Sequence, residues 1–269
     1  MAADVSDELS GVLKPASGRL PGSIQSLERA MRTLETIAAH GGVLGISQIA
    51  ACSELPVPTI HRIVRTLVHL GYLRQEPSRQ YALGPRLLLL ADSSAVILTT
   101  TARPHLSRLV DELGETANLA MLDSGQVAYV AQVPSKHAMR MFTEVGARVL
   151  PHCTAVGKAL LAGQEPERVR AVLVRNGMPR HTEHTITAPD AFLQQLQAVE
   201  RDGYAIDDGE QEVGVRCVAV AVPGAATRLA ISISGPAPRM TPKLVERAVP
   251  LLQEVAIGLA ADLAHQPVT

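Results

Sequence analysis

Between Ile46 and Leu73, in the segment ISQIAACSELPVPTIHRIVRTLVHLGYL, apolar positions fall into two short helical patterns separated by a break. In the second pattern Ile60, Ile63, Val64, Leu67 and Leu70 recur at helical spacing and form one stripe, leaving Thr59, His61, Arg62 and Arg65 on the other side. Ser47 is expected to cap the first helix, which runs through Ala50 to Cys52, because its hydroxyl can accept from first-turn amides. Pro58 sits in the first turn of the second, where its missing amide is no loss, and Gly71 ends it. Arg74 to Tyr81, RQEPSRQY, then reads as two short extended pieces joined at Glu76-Pro77-Ser78. Two helices, a tight break and a hairpin describe a helix-turn-helix with a wing.

Upstream, a helix is expected from Ser26 to His40 with Leu27, Ala30, Met31, Leu34 and Ile37 or Ala38 as its core face, stopped by Gly41-Gly42. Met1 to Gly22 lacks periodicity and reads as a mobile arm, with Lys14 and Arg19 as its cations. Downstream, Arg86 to Leu98 reads as an apolar linker helix and Arg103 to Leu113 as a second helix. Strands are expected at Thr116 to Leu122, Gln126 to Val133, Met139 to Thr143, Tyr204 to Asp207, Val215 to Val222 and Leu229 to Ser234. Helices are expected at Ala155 to Leu161, Pro166 to Arg175, Pro189 to Asp202 and Thr241 to Ala264. The fold class is α+β, an antiparallel sheet flanked by helices behind a winged head. The expected domains are an arm over 1–22, a DNA-binding head over 23–84, a linker over 85–101 and a C-terminal domain over 102–269.

Composition narrows the picture. A chain of 269 residues that is 46% hydrophobic can bury two cores. No stretch is apolar for long enough to span a membrane, and no secretory signal pattern opens the chain, so a cytoplasmic protein is expected. Three scattered cysteines, Cys52, Cys153 and Cys217, do not make a disulfide framework. The net charge of -1 conceals an uneven distribution: residues 1–86 carry nine basic and seven acidic side chains, the remainder sixteen and nineteen. From Val57 to Arg86 there are five arginines and one acid, a local basic excess of the kind that neutralises DNA phosphates.

The winged helix-turn-helix, PHCTAVGKALLA at Pro151 to Ala162, DDGEQEVGVRCVAVAVP at Asp207 to Pro223 and AISISGP at Ala230 to Pro236 together resemble the IclR family of bacterial transcriptional regulators. The resemblance runs from Ser23 to Ala264 and implies a GAF-like effector domain, a homodimer or dimer of dimers and double-stranded operator DNA as partner; no cofactor is expected. With the helix geometry, it places base contacts on Thr59, His61 and Arg62, while Ser47 and Arg65 suit phosphates and Arg79 the wing's reach into the adjacent groove. In family members that respond to glyoxylate or pyruvate, the effector pocket corresponds here to Ala155, Val156, Asp207, Cys217, Ser232 and Ser234. Met139, Met141 and Val149 resemble the family's apolar contacts around the ligand and read equally well as ordinary core packing. Ala155-Val156 is bulkier than its counterpart in those members, which bears on pocket shape. The run from Met139 to Ala162 is similar to an actinobacterial group tied to allantoin and glyoxylate metabolism, which makes a small carboxylate or a ureide the expected effector.

Three other motifs carry less. His181-Thr182-Glu183-His184 pairs two histidines but offers no third ligand nearby in sequence, so no metal is expected there. Cys153, before a helix start, or Cys217 would be the nucleophile if the chain were instead a DNA-tethered enzyme, yet neither has an identifiable base. Gly157-Lys158 lacks the rest of a phosphate loop.

Overall fold

The computed structural model describes residues 24–123, 125–141, 144–225 and 227–264. The arm expected over Met1 to Gly22, with Lys14 and Arg19, lies outside them. The chain forms two compact units, Met1–Ser94 and Ala95–Thr269.

In the first unit, α1 (Gln25–Ala39), α2 (Ile46–Ser53) and α3 (Val57–His69) pack around Ile37, Ile49, Ile60, Val64 and Leu67. Strands β1 (Val43–Leu44), β2 (Leu73–Gln75) and β3 (Tyr81–Leu83) form an antiparallel sheet in the order β1-β3-β2. The wing is therefore three-stranded; β1, only two residues long, is too short to leave an alternating pattern in sequence. Gly71, at φ +80°, turns the chain out of α3 in the left-handed conformation open to glycine.

Two local expectations shift. The α1 core face is Thr33, Leu34 and Ile37, while Leu27 and Met31 are exposed. Thr33 is tolerated inside because its hydroxyl donates to the Arg29 carbonyl at 2.8 Å. Ser47 does not cap α2. Gly45 stands at that position, its amide donating to Gln48 Oε1 at 2.9 Å, and Ser47 is exposed as the second residue of the helix.

The expected pair of helices after the wing is one helix, α4 (Arg86–Leu113), with Pro104 inside it. Proline there forfeits one backbone bond. Burial of Ala102, Leu106 and Leu109 outweighs that loss, and Thr100 Oγ1 donates back to Val96 O at 2.8 Å.

The second unit is built on a six-stranded antiparallel sheet in the order β6-β5-β4-β9-β8-β7. Its strands are β4 (Thr116–Asp123), β5 (Gln126–Val133), β6 (Arg148–Val149), β7 (Ala205–Asp208), β8 (Val215–Ala221) and β9 (Leu229–Pro236). Alternation sends Leu119, Val218, Val220, Ile231 and Ile233 to one face, where the C-terminal part of α4 and α8 (Pro242–Ala264) cover them. The other face carries small residues, Ala120, Ala205, Ala219 and Ala230, against Ala155, Val156, Ala159 and Leu160 of α5 (Ala155–Leu161). Helices α6 (Pro166–Asn176) and α7 (Pro189–Asp202) add a second layer around Phe192. The strand expected at Met139 to Thr143 does not form over its described residues. The edge of β5 is taken instead by 147–149: Tyr129 N donates to Ala147 O at 3.1 Å, and Val127 pairs with Val149.

Candidate functional sites: a reading head and a sheet-floored cavity

The exposed side of α3 carries His61, Arg62 and Arg65, with Thr59 half-buried in its first turn. Val64 and Ile60 on the opposite side are almost wholly buried, so the helix cannot rotate without emptying the core, and its outward side chains have a fixed direction. Ser47 is exposed near the start of α2. Arg79 stands at the wing turn with φ +63°, a conformation costly for a residue with a Cβ, while Glu76 N donates to Gln80 O across the turn at 2.8 Å. Arg74 is held by Glu76 at 2.9 Å, and Arg86 donates to the Leu70 carbonyl at 3.1 Å. Both are thus engaged locally, whereas the side chains of the α3 arginines have no such partner among the described residues.

The second site follows from strand register. Asp207 lies opposite Cys217, Cys217 opposite Ser234 and Ser234 opposite Thr116, so four strands contribute one polar row to the α5 side of the sheet. The adjacent row places Ser232 beside Asn118, whose amide donates to the hydroxyls of both Ser232 and Ser234 at 3.4 Å. Above this floor the Thr154 hydroxyl caps α5 by accepting from Gly157 N at 3.2 Å. Gly157 is required there: a Cβ would stand 2.3 Å from the Pro151 carbonyl oxygen.

Between floor and helix is a cavity of about 50 Å³ lined by Tyr129, Met141, Thr154, Ala155, Val156, Asp207, Gln211, Glu212, Val215, Cys217, Ser232 and Ser234. Of the residues expected around an effector, Met141, Ala155, Val156, Asp207, Cys217, Ser232 and Ser234 are brought together here. Met139 is not; it is 72% exposed, and its carbonyl accepts from Arg239 at 2.9 Å. Val149 is half-buried in the α5 core beside the cavity rather than in its lining. Tyr129, Thr154, Gln211, Glu212 and Val215 were not anticipated. Gln211, Glu212 and Val215 lie within DDGEQEVGVRC and Thr154 within HCTAVGK, so the motifs pointed to them; Tyr129 reaches the cavity only through the β4-β5 pairing.

Electrostatics set this lining apart. Asp207 is buried, and desolvation pushes its carboxyl up from 3.8 to about 6 although its Oδ1 accepts from Glu210 N at 2.7 Å and Gln211 N at 3.4 Å. Burial likewise pushes the Cys217 and Cys153 thiols up to about 12 and raises the Tyr129 phenol. Thiols so displaced are protonated at neutral pH, the reverse of an activated nucleophile, so their burial lends the enzyme alternative no support. Lys158, fully buried, donates to Ile206 O at 2.8 Å and pairs with Glu210, so it is a structural cation rather than the end of a phosphate loop.

The two histidines of His181-Thr182-Glu183-His184 part company. His184 is exposed beside Glu183, whereas the His181 ring lies 6.1 Å, centroid to centroid, from His152. No helix among the described residues is long and apolar enough to cross a membrane.

Residues 26–77 match the IclR helix-turn-helix domain and residues 93–260 match the bacterial transcriptional regulator IclR C-terminal domain. The transcriptional repressor IclR of Escherichia coli K12 is 34% identical over 241 residues, covering 85% of this chain and 86% of the repressor. The regulator BhcR of Paracoccus denitrificans is 32% identical over 250 residues, with 89% and 88% covered. Among solved structures, an IclR homologue from Microbacterium hydrocarbonoxydans complexed with 4-hydroxybenzoate is 30% identical, with a TM-score of 0.59 over 89% of this chain and 99% of that one. IclR and BhcR are transcriptional regulators, and the two domain matches cover both sites just described: the chain belongs to the IclR family, and is a DNA-binding transcriptional regulator with a ligand-binding C-terminal domain.

Proposed function

We propose that the C-terminal cavity takes a small carboxylate or ureide, of the kind represented by glyoxylate and allantoin, and that its occupancy sets operator affinity. The observation that carries this reading is Asp207: a buried carboxylate held in a small cavity at an energetic cost, with one oxygen engaged by two amides. Its second oxygen suits a ligand O–H or N–H. At the other end, the first-turn amides at Ala155 and Val156 belong to a class that helical bonding leaves without acceptors, which suits a carboxylate. A ligand with an anion at one end and a donor at the other satisfies both, with Ser232, Ser234 and Cys217 along its side.

Size divides the two named compounds. A water occupies roughly 10–15 Å³ of such a volume, so about 50 Å³ suits a two- or three-carbon oxo acid, hydrated at its carbonyl, better than the larger ring of allantoin. The related regulator solved with 4-hydroxybenzoate also holds a carboxylate, which supports that end of the assignment.

On the DNA side, Thr59, His61 and Arg62 read base edges, Ser47 and Arg65 hold phosphates and Arg79 reaches from the wing. The working form is a homodimer or dimer of dimers in the cytoplasm. Ile24, Leu27 and Met31 on α1, and Leu88, Leu89 and Leu90 on α4, are exposed apolar side chains that a second copy would cover. Effector binding then shifts the population between two arrangements of the DNA-binding heads, by no more than its difference in affinity for the two.

Calorimetric titration of the full chain with glyoxylate, pyruvate, allantoin and 4-hydroxybenzoate tests the reading. Binding of an oxo acid, weakened at least about tenfold (~1.4 kcal/mol) by Asp207→Ala while the variant's operator affinity is retained, is the expected result. Equal binding by wild type and variant would remove Asp207 from the site.

A further inference from the structure

His152 and Cys153 lie on the 3-10 turn Pro151–Cys153 that precedes α5, and His181 comes from a loop 28 residues later in the chain. One ligand atom from each falls within 4.8 Å of the other two. His152 and Cys153 are fully buried, whereas His181 is exposed. The His152 ring has an assigned direction: Nε2 donates to the Pro179 carbonyl at 3.0 Å. That fixes the proton on Nε2 and leaves Nδ1 as a bare lone pair. Nδ1 is buried and has no hydrogen-bond partner among the described residues. An imidazole that donates through one nitrogen to a backbone carbonyl and keeps the other unpartnered, beside a thiol and a second imidazole, has the backbone-anchored arrangement of a metal-bound histidine. Burial also holds His152 below its ordinary pKa, so the ring is neutral and available.

We propose that His152, Cys153 and His181 form a binding site for a thiophilic d¹⁰ metal ion, with Zn²⁺ as the fitting case. Two imidazoles and a thiolate are a ligand set that zinc accepts, and they leave a fourth position for water. Coordination distances of about 2.0–2.3 Å require the ligand atoms to draw together from their present separation. The exposed His181 side chain is free to make that movement. On binding, the Cys153 thiol gives its proton to solvent and becomes a thiolate ligand, and the raised pKa that burial imposes on it is overcome by the cation. The thiol donates to Gln211 Oε1, and Gln211 lines the effector cavity, so loss of that proton reaches the cavity wall.

The site is separate from the effector reading and is tested without an effector. Full-length protein, stripped with a chelator, is titrated with Co²⁺ and then Zn²⁺. The spectrum is followed for thiolate-to-cobalt charge transfer and for tetrahedral d–d bands, and Zn²⁺ affinity is measured by competition with a chromophoric chelator. The expected result is one ion per chain and a charge-transfer band lost in Cys153→Ser but kept in Cys52→Ser, which removes the other cysteine lying near a histidine. Affinity should fall at least about tenfold in His181→Ala, a surface change that leaves the buried core intact. No cobalt spectrum in the wild type, or a spectrum and affinity indifferent to both Cys153→Ser and His181→Ala, would overturn the proposal.

Discussion

At the scale of single residues, Asp207 shows what the cavity asks of the fold. Its carboxyl is raised from 3.8 to about 6 mainly by burial, so the folded protein holds that proton more tightly than the unfolded chain does. The sign follows: the cost of ionising Asp207 is absent below pH 3.8, grows as pH rises, and is fully present above about 6. Asp207→Asn, which keeps an acceptor for the Glu210 and Gln211 amides, should raise stability at pH 7.5 by up to about 3 kcal/mol and leave it unchanged near pH 4. Paired urea melts at the two pH values measure this, and a variant less stable at pH 7.5 would show that the carboxylate is structural. Arg79 presents a similar conflict at the wing, since its φ of +63° favours glycine. Arg79→Gly should stabilise the head by about 1 kcal/mol while weakening DNA binding uniformly across sequences, with a shallower salt dependence. Arg62→Ala should instead lose about 1–3 kcal/mol of discrimination at one base position. Operator and scrambled duplexes titrated at two salt concentrations separate the two outcomes.

At the scale of elements, what was legible in the sequence tracks how local each signal is. The boundaries of α5 and α7 and the start of β8 emerge as the pattern predicts, because caps, prolines and alternating residues act over a few positions. The misses have non-local causes. A second helix is expected to start at Arg103, yet burial of the neighbours of Pro104 carries α4 through. Met139 to Thr143 has strand-like residues, but the strand edge it would need is occupied by 147–149. Leu27 and Met31 look like core and point outward, because apolar spacing alone does not say whether a stripe meets its own domain; in the dimer proposed above it meets another chain. That distinction is testable: Leu89→Glu, on an exposed turn of α4, should reduce the oligomer to smaller species in sedimentation without lowering the melting temperature of the C-terminal domain. Sedimentation unchanged from wild type would exclude this face from the interface.

At the scale of the whole molecule, the family was legible because its motifs are dense in the second unit, and those motifs are the ones that build the cavity. Asp207, Cys217 and Ser234 sit on three successive strands and become one row only through strand register. The sequence therefore names the row's members by resemblance, whereas Tyr129 depends on a pairing that a single strand does not reveal. The same holds for His181, whose missing partners, His152 and Cys153, are supplied by a different loop.

The central claim, that a ligand in the Asp207 cavity sets DNA affinity, is tested most directly by fluorescence anisotropy. Labelled duplex from the region upstream of the gene is titrated with wild-type and Asp207→Ala protein, with and without saturating glyoxylate. The account predicts a specific complex whose Kd moves with glyoxylate by about 5- to 150-fold in the wild type and does not move in the variant, both binding equally without ligand. A specific complex in which glyoxylate moves the Kd of both proteins by the same factor would contradict it.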